Sequence, residues 1–292
     1  ASEYRDMLYG RVMEIGGVDI QTVLEQIATL LPYDDEALMV YGLESYLRFS
    51  DQLYGLGIVE RKDEAEFTLE IDGGTEAFSV QTALWTILEN TDSQTQRMLG
   101  REYYTEGYFY EYFPDSSALY FVYSYGDPWK DEAFLQFNDI MFSVIEEGNP
   151  AKIVIDLRSH LGENTEFLSP FITRLTQYAA EHPNVKVYTL VGRLVAVATV
   201  MEVMRVREAV PGAVAIGEED FSILTGSEEV RTLKLENRDL WIAYPVQPSG
   251  ESLGGQETGL NVEGFTPDVR LPLTIEDIRN GNDVLLRYAL ED

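Results

Sequence analysis

The sequence predicts a mixed α/β protein whose larger part is a mostly parallel sheet with flanking helices. Between residues 152 and 216, apolar strands and amphipathic helices alternate in the order β-α-β-α-β, which is typical of a parallel sheet with right-handed crossovers. The first 100 residues mix both periodicities in shorter segments, as expected for a smaller α+β region. A length of 292 residues accommodates both parts.

The N-terminal region begins with a strand, a turn and a helix. Residues 10–31 (GRVMEIGGVDIQTVLEQIATLL) place the turn at Gly16-Gly17, and the proline that follows ends the helix. A second helix is predicted over residues 35–49. The alternating apolar residues of 66–72 (EFTLEID) indicate a half-buried strand, and the glycine pair after it predicts a hairpin.

A polar stretch without periodicity, residues 90–101, marks a boundary in the chain. We therefore predict an N-terminal α+β region over residues 1–100. A core domain is predicted over residues 101–292.

An aromatic segment opens the core domain. Eleven aromatic residues lie between residues 103 and 125, and strands suit such a segment better than helices. Pro114-Asp115-Ser116 predicts a turn within it. We expect a hairpin that packs on the core, and the alternative is an aromatic wall of a binding groove.

The remaining elements follow from changes in the hydrophobic period. Helices are predicted over 131–147, 165–182, 195–210 and 283–290, with strands over 152–157, 185–191, 213–216, 230–235 and 240–246. The residues Thr274 and Asp277 predict a capped short helix. The glycine-rich stretch 248–259 predicts a loop.

Composition excludes several kinds of site. The chain has no cysteine, which excludes disulfides, thiolate metal sites and a cysteine nucleophile. Its two histidines, His160 and His182, are too few for a multi-histidine metal site, and we expect no metal and no cofactor. No apolar run approaches the length of about 18 residues that suggests a membrane span.

The chain is strongly acidic, with a formal net charge of −30. Residues 1–150 carry 8 basic and 29 acidic side chains, whereas residues 151–292 carry 13 and 22. Such a chain is repelled by nucleic-acid phosphates, so nucleic acid is not an expected partner. A solvated acidic surface explains the charge, and no EF-hand spacing supports calcium binding.

The predicted core contains the strings IVIDLRSHLGEN (153–164), VYTLVGR (187–193), AVAIGE (213–218), EGFTPDVRLPLT (263–274) and IRNGNDVLLRYAL (278–290). Together these strings resemble the C-terminal-processing (tail-specific) serine peptidase family, and the N-terminal GRVMEIGGVDIQTVL resembles the PDZ-like opening of that family. The resemblance implies a crotonase/ClpP-like peptidase core. It also implies an extracytoplasmic or secreted protein, and because the sequence begins at Ala1 without a methionine or a signal peptide, we expect a processed chain.

The sequence departs from the family at three places that carry the chemistry. Val197 stands at the nucleophile position and has no nucleophilic atom, so the resemblance implies that no catalytic residue set is intact. The glycine pair of the oxyanion side is Gly162-Glu163 here, and a carboxylate opposes a forming oxyanion. The loop after Gly217 lacks the family's proline, threonine and paired glycines, and the next lysine, Lys234, falls in a predicted strand.

These departures favour a degenerate homologue that binds a peptide, an unfolded protein segment or an apolar small molecule in the former active-site groove. The candidate ligand-binding residues are Leu161, Gly162, Glu163, Asn164, Val197, Ala198 and Thr199. One alternative is an active serine-type peptidase with a non-standard site. In that case His160, which lies just after a strand, is a candidate general base and Thr199 a candidate nucleophile, although we expect this threonine to point elsewhere.

A second alternative is an acidic protein-interaction module that docks a basic partner. The sequence leaves the oligomeric state open. For Asp156 and Arg158, at the end of a strand, we predict a structural ion pair rather than a catalytic role, because residues two apart in a strand share a face.

Overall fold

The computed structural model describes residues 7–31, 39, 42–44, 46–81, 107–124, 131–160, 168–218, 222–224, 230–235, 237, 240–245 and 265–292. The chain divides into two compact units. The smaller consists of Ala1–Gln96 with Thr274–Asn282, and the larger of Arg97–Leu273 with Asp283–Asp292.

The smaller unit is built on an antiparallel sheet. Its first described elements are β1 (Arg11–Ile15), β2 (Val18–Asp19), α1 (Ile20–Ala28), α2 (Ser50–Gly55), β3 (Glu64–Ile71) and β4 (Gly74–Gln81). The strands lie in the order β2-β1-β3-β4. Most of the predicted helix over 35–49 lies outside the described residues.

The turn between β1 and β2 requires glycine. Gly16 has a φ of +59°, and a Cβ atom there would lie 2.2 Å from the carbonyl oxygen of Ile58. After the turn, the Asp19 carboxylate caps α1 by accepting a hydrogen bond from the backbone N–H of Gln21. The predicted strand, glycine turn and helix are confirmed. Ile15 of β1 and Val23 of α1 are buried in the same hydrophobic core.

The larger unit contains the mostly parallel sheet. Its described elements before the last two helices are β5 (Tyr108–Phe113), β6 (Ala118–Tyr123), α3 (Asp131–Gly148), β7 (Lys152–Asp156), α4 (Ser169–Glu181), β8 (Lys186–Val191), β9 (Leu194–Ala196), α5 (Val197–Ala209), β10 (Val214–Glu218), β11 (Ser222–Leu224), β12 (Val230–Lys234), β13 (Trp241–Pro245) and β14 (Val269–Leu271). Helix α6 (Ile275–Arg279) belongs to the smaller unit, and α7 (Val284–Glu291) to the larger one.

Six strands form the central sheet in the order β14-β10-β8-β7-β6-β5. Neighbouring strands are parallel except β5, which pairs with β6 as an antiparallel hairpin. The predicted α/β class is therefore confirmed. The hairpin predicted in the aromatic segment is confirmed as well, and every residue of β6 is buried.

Helices cover both faces of this sheet. Apolar residues of α3, α4 and α5 pack on one face, for example Phe142, Phe171 and Val203. On the opposite face, Leu285 and Ala289 of α7 pack against the sheet. Strand β7 is buried on both faces, which explains its nearly continuous apolar sequence.

Several further elements agree with the sequence predictions. Strands β12 and β13 pair as an antiparallel hairpin, and Thr274 and Asp277 form a capping box at the start of α6. None of the helices within the described ranges is both long and apolar enough to cross a membrane.

Candidate functional site

The candidate site lies where β7 and β8 end and α5 begins. The carboxyl ends of parallel strands meet at one edge of a sheet, where ligands of α/β folds commonly bind. From β7 the chain continues through residues 157–160, and from β8 it continues through β9 directly into α5. Three side-chain groups lie at this edge: an ion-pair network, a polar cluster and a further ion pair.

The ion-pair network is centred on Arg158, whose side chain is buried. Its Nη2 lies 2.6 Å from Oδ2 of Asp156 and 2.8 Å from Oδ2 of Asp283, and its Nη1 lies 3.0 Å from Oδ1 of Asp283. The Tyr120 hydroxyl donates to Asp156 at 2.5 Å. Asp283 also caps α7, by accepting from the N–H of Leu286 at 3.1 Å.

The network holds a charged guanidinium in the protein interior. Burial lowers the pKa of Arg158, but the carboxylates of Asp156 and Asp283 outweigh burial and raise this pKa well above its ordinary value. The structural ion pair predicted for Asp156 and Arg158 is confirmed. Its effect is to connect the end of β7 to the start of α7 and so to hold the segment that leads to His160.

The polar cluster consists of Tyr123, His160, Thr199 and Glu202. His160 and Thr199 contact each other twice, because the Thr199 hydroxyl donates to the His160 carbonyl oxygen at 2.8 Å and Oγ1 lies 2.9 Å from Nδ1 of the ring. A hydroxyl has one proton, and here the carbonyl accepts it. The ring nitrogen Nδ1 therefore carries hydrogen and donates to Oγ1, a tautomer that follows from this hydrogen-bond pattern.

Burial sets the charge of His160. It lowers the pKa of this histidine from 6.5 to about 4, so the imidazole is neutral at neutral pH. The ring lies 4.9 Å, centroid to centroid, from the ring of Tyr123 in β6. The cluster thus joins β6, the segment after β7 and the first turn of α5.

Glu202 follows Thr199 by three residues and so lies on the same face of α5. Its Oε1 is 3.1 Å from Nη1 of Arg205, whereas its buried Oε2 has no hydrogen-bond partner among the described residues. Burial raises the Glu202 pKa from 4.5 to about 8 despite the opposing charge of Arg205. The side chain is therefore mainly a neutral carboxylic acid at neutral pH. Burial raises the pKa of Tyr123, and the charge of an ionised Glu202 raises it further.

The third group is the ion pair of Glu218 and Arg193, which lies at the ends of β8 and β10. The carboxylate of Glu218 accepts from the backbone N–H of Arg193 at 3.1 Å and from its Nε at 3.3 Å. Burial raises the pKa of Glu218, and Arg193 opposes that rise. In this part of the chain the pair joins two strand ends.

The structure describes only part of the candidate ligand-binding set. Leu161, Gly162, Glu163 and Asn164 lie outside the described residues. Val197 is the first residue of α5, and its side chain is also outside the described part of the chain. Ala198 is half-buried in the first turn, and Thr199 is buried with its hydroxyl on His160.

Neither Tyr123 nor Glu202 is among the site residues that the sequence predicts. A signal for Glu202 was present, because it is the one acidic residue within the apolar stretch VATVMEVM of α5. Tyr123 carried no such signal, since it is one of many aromatic residues in its segment. Among the described residues, no group of three or more histidine or acidic side chains could hold a metal ion.

Comparisons with known proteins give a distant similarity to solved structures. No family model matches the sequence, and no curated protein matches it. Among solved structures, a photosystem II D1 C-terminal processing protease aligns with a TM-score of 0.38 and 14% sequence identity, over 94% of this chain and 66% of that protease. The chain therefore spans less than two thirds of the protease, and nothing about the chemistry of the site follows from so distant a likeness.

Proposed function

We propose that this protein binds a peptide or an apolar ligand at the carboxyl edge of its large sheet and does not hydrolyse it. The observation that carries the proposal is the direction of the Thr199 hydroxyl, which gives its proton to a backbone carbonyl rather than to an imidazole. A hydroxyl becomes a nucleophile when a neighbouring base takes its proton. The nearest candidate base, His160, instead donates to the hydroxyl.

The composition of the first turn of α5 supports binding. Residues 197 and 198 are valine and alanine, so the sequence supplies methyl groups rather than a nucleophile at this point. The N-cap residue, Ala196, makes no side-chain capping hydrogen bond to α5. Backbone N–H groups at a helix start favour a carbonyl or carboxylate of a ligand. A peptide with apolar side chains and a terminal carboxylate combines both features.

A hydrolase that uses Thr199 as nucleophile and His160 as general base is the second candidate function. The distance of 2.9 Å between Oγ1 and Nδ1 favours it, because it is within the range of a catalytic hydrogen bond. This mechanism requires the hydroxyl to release the carbonyl and turn its proton toward the ring. It also requires a stronger base than a histidine whose pKa burial lowers to about 4. We therefore rank it second.

Hydrolysis is tested first. The purified protein is incubated with casein and with unstructured peptides, and in parallel with a fluorophosphonate probe. We expect neither cleavage nor labelling above the level of a heat-denatured sample. Cleavage that disappears in Thr199→Val would establish the hydrolase instead, since this change removes only the hydroxyl while it keeps the shape of the side chain.

Binding is tested by calorimetry with fatty acids and with peptides that end in apolar residues. Val197→Asp introduces a carboxylate at the start of α5, and we expect it to abolish binding, because burying an unpaired charge opposes contact with an apolar ligand. Glu208→Gln, an exposed position on the same helix, is the matched control and should bind like the parent. If Val197→Asp remains folded by circular dichroism and binds every ligand as the parent does, the binding site is elsewhere.

A further inference from the structure

One carboxyl oxygen of Glu202 is buried without a hydrogen-bond partner among the described residues. The side chain as a whole is 1% exposed, and the oxygen concerned is Oε2. The other buried side chains described in α5, such as Val200 and Val203, are apolar, apart from Thr199, whose hydroxyl is bonded to His160. Buried polar atoms nearly always have a partner, so this oxygen indicates a group that comes from outside the chain.

The contact with Arg205 decides which oxygen carries the proton of the neutral acid. Nη1 of Arg205 lies 3.1 Å from Oε1 of Glu202, and a guanidinium group only donates hydrogen bonds. Oε1 is therefore an acceptor, and the proton of the carboxylic acid belongs to Oε2. Since burial keeps Glu202 mainly protonated at neutral pH, Oε2 presents an O–H donor.

This donor lies at the proposed binding site. Glu202 is one turn from Thr199 on the same face of α5, and Thr199 belongs to the first turn of that helix, at the carboxyl edge of the sheet. The neighbouring groups of the polar cluster, His160 and Tyr123, are uncharged at neutral pH. A ligand group that meets Oε2 is therefore selected by hydrogen bonding rather than by charge.

We propose that Glu202 is a specificity-determining residue, whose carboxylic acid donates a hydrogen bond from Oε2 to an uncharged carbonyl oxygen of the ligand. The inference rests on the proposed binding function and adds the chemical class of the ligand, an apolar chain that carries a neutral amide, as a peptide backbone does. A carbonyl accepts a hydrogen bond without bringing a charge into the buried cluster, whereas an ammonium group needs an ionised carboxylate.

An enclosed water molecule offers the same kind of acceptor oxygen. Buried waters typically make about three hydrogen bonds to polar groups around them. Here the Thr199 hydroxyl and Nδ1 of His160 are already bonded to each other. A carbonyl needs a single donor and so fits Oε2 better. Because Oε2 is enclosed by protein, side chains around it move when the ligand carbonyl enters.

The test uses the full chain and two probes of equal chain length, octanamide and octylamine, in titrations followed by NMR at neutral pH. We expect the parent to bind octanamide in preference to octylamine. Glu202→Gln keeps a donor in the place of the O–H group and should bind octanamide like the parent. Glu202→Leu removes the donor, and we expect binding about tenfold weaker, as for the loss of one hydrogen bond.

Two readouts separate this role from a structural one. Glu202→Leu should be at least as stable as the parent in urea, because it replaces an unpartnered buried polar group with an apolar one. In addition, the octanamide affinity of the parent should fall about tenfold from pH 7 to pH 9, since the pKa of Glu202 is about 8. The affinity of Glu202→Gln should not change with pH.

The other titratable groups of the cluster do not account for such a fall. The pKa of His160 lies below this pH range and that of Tyr123 above it, while Arg205 stays charged throughout. The exposed Glu208→Gln is the control on the same helix and should follow the parent at every pH.

Several outcomes overturn the inference while the proposed function stands. They are a Glu202→Leu variant that binds octanamide as tightly as the parent, a parent that prefers octylamine with an affinity that rises with pH, and a parent that binds peptides but not octanamide. In each case Val197→Asp still abolishes the binding of peptides or fatty acids. Failure of the parent to bind octanamide, peptides and fatty acids alike contradicts both.

Infrared spectroscopy identifies the oxygen that accepts from Glu202. The difference spectrum between the parent and Glu202→Gln contains the C=O band of the protonated Glu202 carboxyl group. We expect this band to shift when octanamide binds, because its hydrogen-bond partner changes. A band that stays unchanged while octanamide binds would assign the acceptor to an enclosed water and overturn the proposal.

Discussion

At the scale of single residues, burial decides the protonation state of both acid–base groups in the polar cluster. Burial disfavours whichever form carries charge, so it lowers the pKa of His160 and raises that of Glu202. Both groups are therefore neutral at neutral pH, although Arg205 contacts one oxygen of Glu202. A ligand that contacts this polar cluster would meet uncharged donors and acceptors, which suits the binding of a peptide backbone or an apolar chain.

The histidine should make the protein sensitive to acid. In the unfolded chain its pKa is near 6.5, and in the folded protein it is about 4, so the unfolded state takes up a proton first as pH falls. The contribution of the neutral His160 to the free energy of unfolding is fully present above pH 6.5 and is lost as pH falls toward 4. His160→Asn cannot be protonated there and keeps an amide that can donate to Thr199.

Unfolding by urea across this pH range measures the effect. We expect the stability difference between parent and His160→Asn to change by about 3 kcal/mol at most, in favour of the variant as pH falls. A constant difference would show that His160 is protonated as readily in the folded protein as in the unfolded chain.

Glu202 predicts the opposite trend. Its folded pKa of about 8 lies above the ordinary 4.5, so the folded state keeps a proton that the unfolded chain releases. The contribution of the protonated Glu202 to the free energy of unfolding is fully present below pH 4.5 and is lost as pH rises through 8. Glu202→Gln removes this loss, because the amide is neutral at every pH and has nearly the same shape.

We therefore expect Glu202→Gln to gain stability relative to the parent as pH rises, by about 5 kcal/mol at most. Thermal unfolding at a series of pH values checks this. The exposed Glu208→Gln is the control and should follow the parent at every pH. A Glu202→Gln curve parallel to that of the parent would contradict a raised pKa.

At the scale of elements, one buried arginine connects two parts of the larger unit that are far apart in sequence. Arg158 follows β7, whereas Asp283 is the N-cap of α7. Asp283→Asn keeps a side chain that can cap α7 but removes the negative charge. The variant therefore measures the loss of the ion pair without the loss of the helix cap. Breaking a buried pair on one side leaves the other charge without full compensation.

We expect Asp283→Asn to destabilise the protein by about 3–5 kcal/mol in urea unfolding. The matched control is Asp139→Asn, which breaks an exposed pair with Arg174 and should cost about 1 kcal/mol or less. Equal losses in the two variants would show that the buried network contributes no more than a surface pair.

Elements with a regular hydrophobic pattern or a clear capping signal could be predicted from the sequence, and the three-residue strands could not. The parallel strands of the core have apolar runs because helices cover both of their faces, and those runs are visible in β7 and β8. Strands β9 and β11 have three residues each and, in the described part of the chain, pair with one another, so no periodicity exists to reveal them. Strand β14 is equally short and is held by its parallel partner β10.

The sequence predicted where β7 ends, but not which side chains contact one another beyond that end. The end of β7 followed from its position in a parallel sheet, and the ion pair of Asp156 and Arg158 followed from their spacing. The contact between His160 and Thr199 joins residues 39 positions apart, and it depends on how α5 packs beside the segment after β7. No local pattern encodes such a contact.

At the scale of the whole molecule, the dominant electrostatic feature is the net charge of −30. Self-repulsion among like charges destabilises a compact state, and it is screened by ions over about 10 Å at an ionic strength near 0.1 M. Exposed ion pairs such as Arg61 with Asp63 offset little of this repulsion, because solvent screens them.

Screening should therefore stabilise the folded protein in a way that does not depend on the identity of the cation. We expect the melting temperature at neutral pH to rise as sodium chloride is added from a low-salt buffer, and then to level off once the screening length falls below the spacing of the surface charges. Tetramethylammonium chloride is the control, because this large cation screens equally well but does not fit a carboxylate site. If only small cations raise the melting temperature, specific cation binding rather than screening of the acidic surface is responsible. A melting temperature that is flat in both salts would show that the acidic side chains are far enough apart, and well enough hydrated, for their repulsion not to limit stability.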